Sequence, residues 1–280
     1  MGRYALMEIQ AYIDTDVLLY KFGFKNETSI EWSDGQWTYS GNLPSAITDM
    51  DNFIDDIVES LVNWSDVPDA QVDVQMCFSS KAGSFRQMVY DGYKKSRKGK
   101  RKPVLMDPLK QWVYDNWEVI EEPWLEGDDI LGVWGGSYDQ DSRMTGSPVK
   151  VMCSIDKDML TVPGYHYNWD KSDLGVVWVG RDTASKNFYL QTLSGDTVDD
   201  YPGCPTIGPK RALKILDEAL NSNVPMWEAI VKTYEKHGKD ELFALQMARC
   251  AYILQPEDFD IECGSIDLWA PRVVRNYDQS

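Results

Sequence analysis

The chain has 280 residues, 43% of them hydrophobic and 26% charged, with a formal net charge of −17. That size suffices for one large domain or one domain with a small companion, and the composition predicts a packed core in a soluble chain. No run reaches the ~18 apolar residues of a membrane span, and the first ten residues carry Arg3 and Glu8 in place of a signal-peptide core, so a cytoplasmic setting is expected.

In chain order, residues 8–15 predict a buried strand ending at Asp14. Residues 30–43, with Trp32 and Trp37, predict an irregular stretch or a short hairpin. Residues 44–64 predict an amphipathic helix, because Ile47, Met50, Phe53, Ile54, Ile57, Val58, Leu61 and Val62 fall on one helical face. Residues 71–78 alternate Val72, Val74, Met76 and Phe78 and predict a strand, and residues 84–93 a helix. A basic stripe follows: seven of the nine residues from Lys94 to Lys102 are Lys or Arg. It reads as an exposed, mobile stretch, either a solvated charge run or a place that confines a polyanion on an otherwise acidic chain. Asp107 and Pro108 predict a helix start, as N-cap and first helical residue. A short strand over 119–122, a helix over 126–137 and a strand over 146–154 come next. Residues 165–169, 175–179 and 187–193 are strand candidates, the last two joined by a turn at 182–185. Helices are predicted over 207–220, 224–236 and 239–254, then an irregular tail anchored by Trp269. Strands alternating with helices over 1–165 imply an α/β fold with a mainly parallel central sheet and helices on both faces. Sites in such sheets form at the carboxyl ends of the strands, where Asp14 and Asp156 fall.

The chemistry-bearing residues are acids. There are only two histidines, 166 and 237, which leaves little for a Ser–His or Zn–His mechanism. The five cysteines (77, 153, 204, 250, 263) are scattered without a CxxC pair, so neither a zinc centre nor a disulfide framework is expected, and three lie in apolar surroundings as packed thiols. The 45 acids offer oxygen ligands, which suit Mg²⁺ or Mn²⁺. Glu126 and Asp129 share a helical face and Asp128 points away from it; acids in a first turn also serve as plain caps. Asp156 and Asp158 follow an apolar strand beside Ser154, either as a capped turn or as ligands. Asp196 and Asp199 precede residues 203–211, where Gly208 allows a tight turn and Pro209 suits a helix start. The helix that follows offers free backbone N–H groups, with Lys210 and Arg211, to a phosphate. Arg86, Lys94 and Arg97 are candidate phosphate ligands, and Tyr93 a candidate base-stacking platform. Asp16 and Asp73 read as surface acids. Acids gathered at separate strand ends repel unless a cation neutralises them. With a phosphate-gripping hairpin, they point to metal-dependent cleavage of nucleic acid.

The segments Tyr12-Ile-Asp14, Phe85-Arg86 with Tyr93-Lys94 and Arg97, residues 125–132 (LEGDDILG), 154–159 (SIDKDM), Gly195-Asp196 with Asp199, 203–211 and 246–249 (QMAR) occur in this order. The combination, over about residues 10–250, resembles the 5′→3′ exonuclease and flap-endonuclease family, above all its T7-type phage exonucleases. The resemblance implies a PIN/flap-nuclease-like core over 1–195 with a basic arch at about 94–103. It implies a helical part over 196–280 containing a helix–three-turn–helix DNA grip. It implies two Mg²⁺ ions, with Mn²⁺ as a substitute and K⁺ at the helix hairpin. Asp14 and Asp128 match first-metal ligands or their water-mediated partners, Glu126 and Asp129 a shared acid cluster, and Asp156, Asp158, Asp196 and Asp199 second-metal ligands. Lys94 matches a lysine at the arch base that assists phosphate activation, and Arg97 matches more loosely. Arg86, Tyr93, Ile207, Gly208, Lys210 and Arg211 would meet DNA. One departure stands out: the family places an aspartate shortly before the Phe-Arg pair, where this chain has Ser79 and Ser80. The first metal would then bind weakly, be held through water, or recruit Asp16.

These observations lead to an expected 5′→3′ exonuclease acting on duplex or 5′-flapped DNA and on RNA in RNA–DNA hybrids, by a two-metal mechanism. Primer removal, recombination and host DNA degradation are the implied roles, in a host cytoplasm if the chain is phage-encoded. The alternative is a catalytically weak DNA-structure-binding protein that keeps the grip and has a degraded first metal site. A PIN-type single-strand ribonuclease is a third reading, opposed by the long hairpin-containing C-terminal half.

Overall fold

The computed structural model describes residues 7–67, 70–140 and 147–271. The expected strand start at residue 146, the first six residues and the last nine of the tail lie outside them. The described residues form two compact units. One comprises those up to Phe85, Arg97–Ala184 and Ile253–Phe259; the other comprises Arg86–Ser96, Ser185–Tyr252 and the residues from Asp260 onward.

The first unit is built on a six-stranded sheet. Its chain order is β1 (Glu8–Asp14), α1 (Thr15–Lys25), a hairpin of β2 (Glu27–Glu31) and β3 (Trp37–Gly41), α2 (Leu43–Ser65) and β4 (Gln71–Cys77). After the short α3 (Arg86–Val89), which belongs to the second unit, come α4 (Met106–Asn116), β5 (Glu118–Ile120), α5 (Gly127–Ile130), β6 (Val149–Cys153), β7 (Gly164–Tyr167) and β8 (Val176–Val179). Spatial order is β5-β4-β1-β6-β7-β8, and every pairing is parallel except β7 with β8. The mixed α/β fold with a mainly parallel central sheet is therefore as expected. Ile9, Ala11 and Ile13 of β1 pack into one core with Leu18, Leu19 and Phe22 of α1 and Met50, Ile54 and Ile57 of α2. The alternate residue Tyr12 faces the opposite way, towards Gly135 at the end of a π-helical turn (Leu131–Gly135) that continues α5. β1 has β4 on one side and β6 on the other, so the carboxyl ends of β1 and β6 are where the strand order reverses, the place where sites form in such sheets.

The second unit contains α6 (Arg181–Ser194), whose first turn belongs to the first unit, then α7 (Pro209–Asn221), α8 (Met226–Lys236) and α9 (Glu241–Ala251). Its core gathers Phe188, Leu193, Ile207, Leu216, Ile230, Tyr234 and Met247. Trp269 anchors the tail as expected, with its ring 5.0 Å from Phe188 and 5.1 Å from Trp227, and its carbonyl accepting from Arg249 Nε at 3.0 Å.

Several elements differ from expectation. Residues 187–193 are helix, not strand, and the expected turn at 182–185 is the first turn of α6. Ala184, Phe188 and Thr192 are buried at a spacing of four, which is helical periodicity, and it outweighs the strand propensity of the aromatic and Thr residues. The helix expected over 84–93 shrinks to Arg86–Val89. The helix expected to run to 137 turns π-helical at Leu131 and ends at Gly135. Leu105, not Asp107, is the N-cap of α4. Helix α1 has no counterpart in the expectations: Gly23 sits inside it, where a Cβ would stand 2.7 Å from Pro103 Cγ. A glycine demanded by close packing weakens the local helix signal.

Candidate active site

Three of the predicted acids meet at the carboxyl ends of neighbouring strands. Asp14 closes β1 and caps α1, its Oδ1 accepting from the Val17 N–H at 3.4 Å. Its Oδ2 accepts from Ser154 Oγ at 2.9 Å. The same hydroxyl accepts from the Asp156 N–H at 3.1 Å, and Asp156 Oδ1 accepts from the Asp158 N–H at 2.8 Å. Ser154 thus joins the end of β1 to the acidic turn after β6. Asp156 is exposed and Asp158 half-buried.

Asp16, read from the sequence as a surface acid or one that the first metal could recruit, joins this group. It lies in the first turn of α1, and its Oδ2 accepts from the Ser79 N–H at 2.8 Å. Ser79 Oγ in turn accepts from the Gly127 N–H at 2.9 Å. Ser79, just past β4, therefore ties Asp16 to the N-terminus of α5. The sequence signal for Asp16 was its place two residues after a strand-ending acid, at the start of an unrecognised helix.

Burial, and next the charge of Asp16, push the Asp14 carboxyl up to about 7. Burial also raises Asp16, against the lowering effect of its hydrogen bonds to Ser79. Charges held this way are ones a cation would relieve. Among the described residues no three His, Cys, Asp or Glu side chains close into a ready-made cage. Mg²⁺ needs none: it keeps several of its waters and takes one or two carboxylates. The open, oxygen-only donor set fits a hard divalent cation of this kind.

Glu126 and Asp129 close a reciprocal capping box on α5. Asp129 is fully buried, and both its oxygens accept from backbone: Oδ1 from Leu254 N–H at 3.2 Å, Oδ2 from Glu126 N–H at 3.1 Å. Glu126 Oε2 accepts from Ser84 Oγ at 3.1 Å. Asp128 is the half-exposed acid of the three. Arg97 is exposed in a short turn (Lys95–Arg97). Arg101, further along the basic stripe, pairs with Glu27 at 2.7 Å, so the stripe is tied down at that point.

The other predicted residues belong to the second unit. Lys94 Nζ lies 3.6 Å from Asp199 Oδ2, and its N–H donates to the Asp199 carbonyl at 2.8 Å. Asp196 Oδ1 accepts from the N–H groups of Val198 at 2.6 Å and Asp199 at 3.3 Å. Gly195 and Gly203 pass so close that a Cβ on Gly203 would lie 2.3 Å from Gly195 N, and both have positive φ (67° and 64°). Only glycine meets both demands. Two expectations need correction here. Tyr93 is 4% exposed, stacked on Tyr201 at 6.3 Å with its hydroxyl donating to Asp199, so it presents no open face to a base. Arg86 is 3% exposed and donates to the carbonyls of Cys250 (3.1 Å) and Tyr252 (2.5 Å), a structural tie and not a phosphate ligand. Ile207 is core, so only its backbone could reach a ligand. Gly208 is the N-cap of α7, with exposed Lys210 and Arg211 in the first turn.

The fold is shared with the bacteriophage T5 5′-exonuclease solved with bound zinc ions: the TM-score is 0.53 over 89% of this chain and 90% of that one, at 14% identity. The molecule thus has the mixed α/β fold of that 5′-exonuclease, with a mainly parallel central sheet. No family model matches the chain. By sequence it is similar to the exodeoxyribonuclease of Enterobacteria phage T3, 23% identical across 93% of this chain and 92% of that protein. It is similar also to the exonuclease of Escherichia phage T7, 22% identical with 92% of each chain covered. The resemblance to the 5′→3′ exonuclease and flap-endonuclease family, on the side of its T7-type phage members, therefore extends over nine-tenths of the chain and not only over its motifs.

Proposed function

We propose that this protein is a divalent-metal-dependent nuclease that hydrolyses DNA phosphodiester bonds from 5′ ends, and RNA in RNA–DNA hybrids. The observation that carries the reading is the junction of Asp14, Ser154 and Asp156 at the ends of β1 and β6, with Asp16 brought alongside by Ser79. Support comes from relatives whose names are exodeoxyribonuclease and exonuclease, and from a 5′-exonuclease of the same fold that holds divalent ions.

Two Mg²⁺ ions, or Mn²⁺, held at these acids would supply an activated water near neutral pH and offset charge on the leaving 3′ oxygen. In this reading Asp14, Asp16 and Asp128 face the first cation and Asp156 and Asp158 the second. The family resemblance implies a metal-ligand role for Asp196 and Asp199 as well. Glu126 and Asp129 hold the start of α5 in place. Asp16, held by the Ser79 N–H, would stand in for the carboxylate that Ser79 lacks, which supports the nuclease reading over that of a mere DNA binder. Lys94 and Arg97 offset phosphate charge. Gly208, Lys210 and Arg211, with the backbone of Ile207, grip duplex phosphates in a helix–three-turn–helix formed by α6, the glycine turn and α7, where a K⁺ would assist. Such contacts position the duplex without reading its sequence. Primer removal, recombination and host DNA degradation are the roles that follow.

The test is a Mg²⁺ titration on a duplex labelled at its 5′ end, with a 3′-labelled copy alongside. Short 5′ products and a progressively shortened 3′-labelled strand are expected. Asp156→Asn should abolish them while leaving Ca²⁺-supported binding largely intact. Tight binding without products at any Mg²⁺ or Mn²⁺ concentration would refute the reading.

A further inference from the structure

The loop after β4 is where this chain departs from the family pattern, and a charged cluster holds it. Glu121, just past β5, accepts from the Lys81 N–H at 3.3 Å with Oε1, and from the Tyr114 hydroxyl with Oε2. The same Oε2 lies 2.9 Å from Lys110 Nζ. Lys110 and Tyr114 are one turn apart on α4, so both reach Glu121 from one helical face. Phe78, fully buried at the head of the loop, lies against both: its ring centre is 4.2 Å from Lys110 Nζ and 5.6 Å from that of Tyr114.

These contacts fix an ammonium close to Asp16. The Lys110 side chain is 12% and that of Glu121 19% exposed. Ser79, next to Phe78, holds Asp16 through its N–H. Burial raises the Asp16 carboxyl most; the hydrogen bonds from Ser79 and then the Lys110 charge oppose that rise, and the Glu121 charge adds to it. Both members of the pair thus act on Asp16 across space, with opposite signs. Although burial works the other way, donation from Tyr114 and Lys110 holds the Glu121 carboxyl below its ordinary value, so the pair carries both charges at neutral pH. Desolvating two ions is costly, and apolar residues of the same volume would serve packing as well.

We infer that Lys110 is a positioning residue of the first-cation site, a built-in positive charge that balances Asp16 and competes with the divalent ion for it. The inference rests on the nuclease reading and adds to it a residue of α4 that lies outside the segments carrying the family resemblance. The physical ground is the count of charges. A cation at Asp16 meets one carboxylate, aimed by the Ser79 N–H, and one fixed ammonium that repels it. In such a site Mg²⁺ binds the free protein loosely, and a substrate phosphate completes its ligands and its charge balance. Glu121 tempers the ammonium. Removing either partner therefore unbalances the site, and in opposite directions.

The test is a Mn²⁺ titration of the full chain at pH 8 without DNA, followed by electron paramagnetic resonance of the free ion. Lys110→Met keeps an aliphatic stem against the Phe78 ring and removes the charge; it should tighten Mn²⁺ binding about tenfold. Glu121→Gln leaves the ammonium untempered and should weaken binding by about the same factor. Lys110→Arg should bind as the wild type does. In an Asp16→Asn background both shifts should disappear. A purely structural role would move the two variants in the same direction, since each breaks the same pair. Weaker or unchanged Mn²⁺ binding in Lys110→Met, shifts of one sign in both variants, or shifts that persist without the Asp16 charge would overturn the inference. A wild type that cleaves DNA and binds Mn²⁺ no differently from Lys110→Met would sink the inference alone. Opposite Mn²⁺ shifts in a protein that cleaves no nucleic acid would sink only the nuclease reading.

Discussion

Replacing Asp14 by Asn in the metal-free protein should flatten the pH dependence of its stability. The Asp14 carboxyl is pushed from 3.8 up to about 7, chiefly by burial. A raised acid binds its proton more tightly in the folded than in the unfolded chain. Its contribution is therefore fully present below pH 3.8 and is lost as pH rises to about 7. Between pH 5 and pH 7 the loss covers two pKa units, at about 1.4 kcal/mol each, or about 3 kcal/mol. At about 2–4 °C per kcal/mol for a protein of this size, the wild type should lose roughly 6–12 °C in Tm over that interval relative to Asp14→Asn. The amide carries no charge; its one oxygen can still accept from the Val17 N–H, while its NH2 group can donate to Ser154 Oγ. Millimolar Mg²⁺ at pH 8 should restore the wild type and stabilise Asp14→Asn less. Paired differential scanning calorimetry from pH 5 to pH 8, in chelator and then in Mg²⁺, is the assay. A wild-type-minus-variant difference that stays constant with pH would refute the buried, mutually repelling arrangement of Asp14 with Asp16.

Lys210→Ala, in the exposed first turn of α7, should weaken duplex binding equally at all sequences and lower the salt slope by about one; a sequence-dependent loss in anisotropy titrations would argue against a backbone contact. Gly132→Ala should destabilise the first unit strongly, because its Cβ would meet the Leu254 carbonyl oxygen at 2.1 Å and Ile253 Cγ2 at 2.9 Å. Overpacking of this kind costs about 1–3 kcal/mol or more, readable in urea unfolding; a variant of unchanged midpoint would show that the backbone at 253–254 yields freely.

The strand that ends in Asp14 and the one that runs on into the turn at Asp156 were legible because a buried parallel strand reads as an apolar run, and an acid just past it stands out. The helices α2, α7, α8 and α9 were legible from one-sided apolar periodicity. Helix α1 was not, since its interior glycine answers to Pro103, eighty residues away in sequence. Helix α6 was misread because its aromatic and Thr residues favour strands when seen alone. Arg86 and Tyr93 looked like surface ligands, but Arg86 spends its donors on Cys250 and Tyr252, and Tyr93 lies buried against Tyr201.

By itself the sequence determined the α/β class, the acid-rich chemistry and the family resemblance, because periodicity and residue type are local properties. The tertiary structure alone decided that Ser154 joins Asp14 to Asp156, that Asp16 stands beside Ser79, and that Lys110 lies over Phe78. Those meetings depend on the strand order β4-β1-β6 and on loop closures between segments dozens of residues apart. Hydrophobic burial over the whole sheet fixes that order, and no short window of the chain records it.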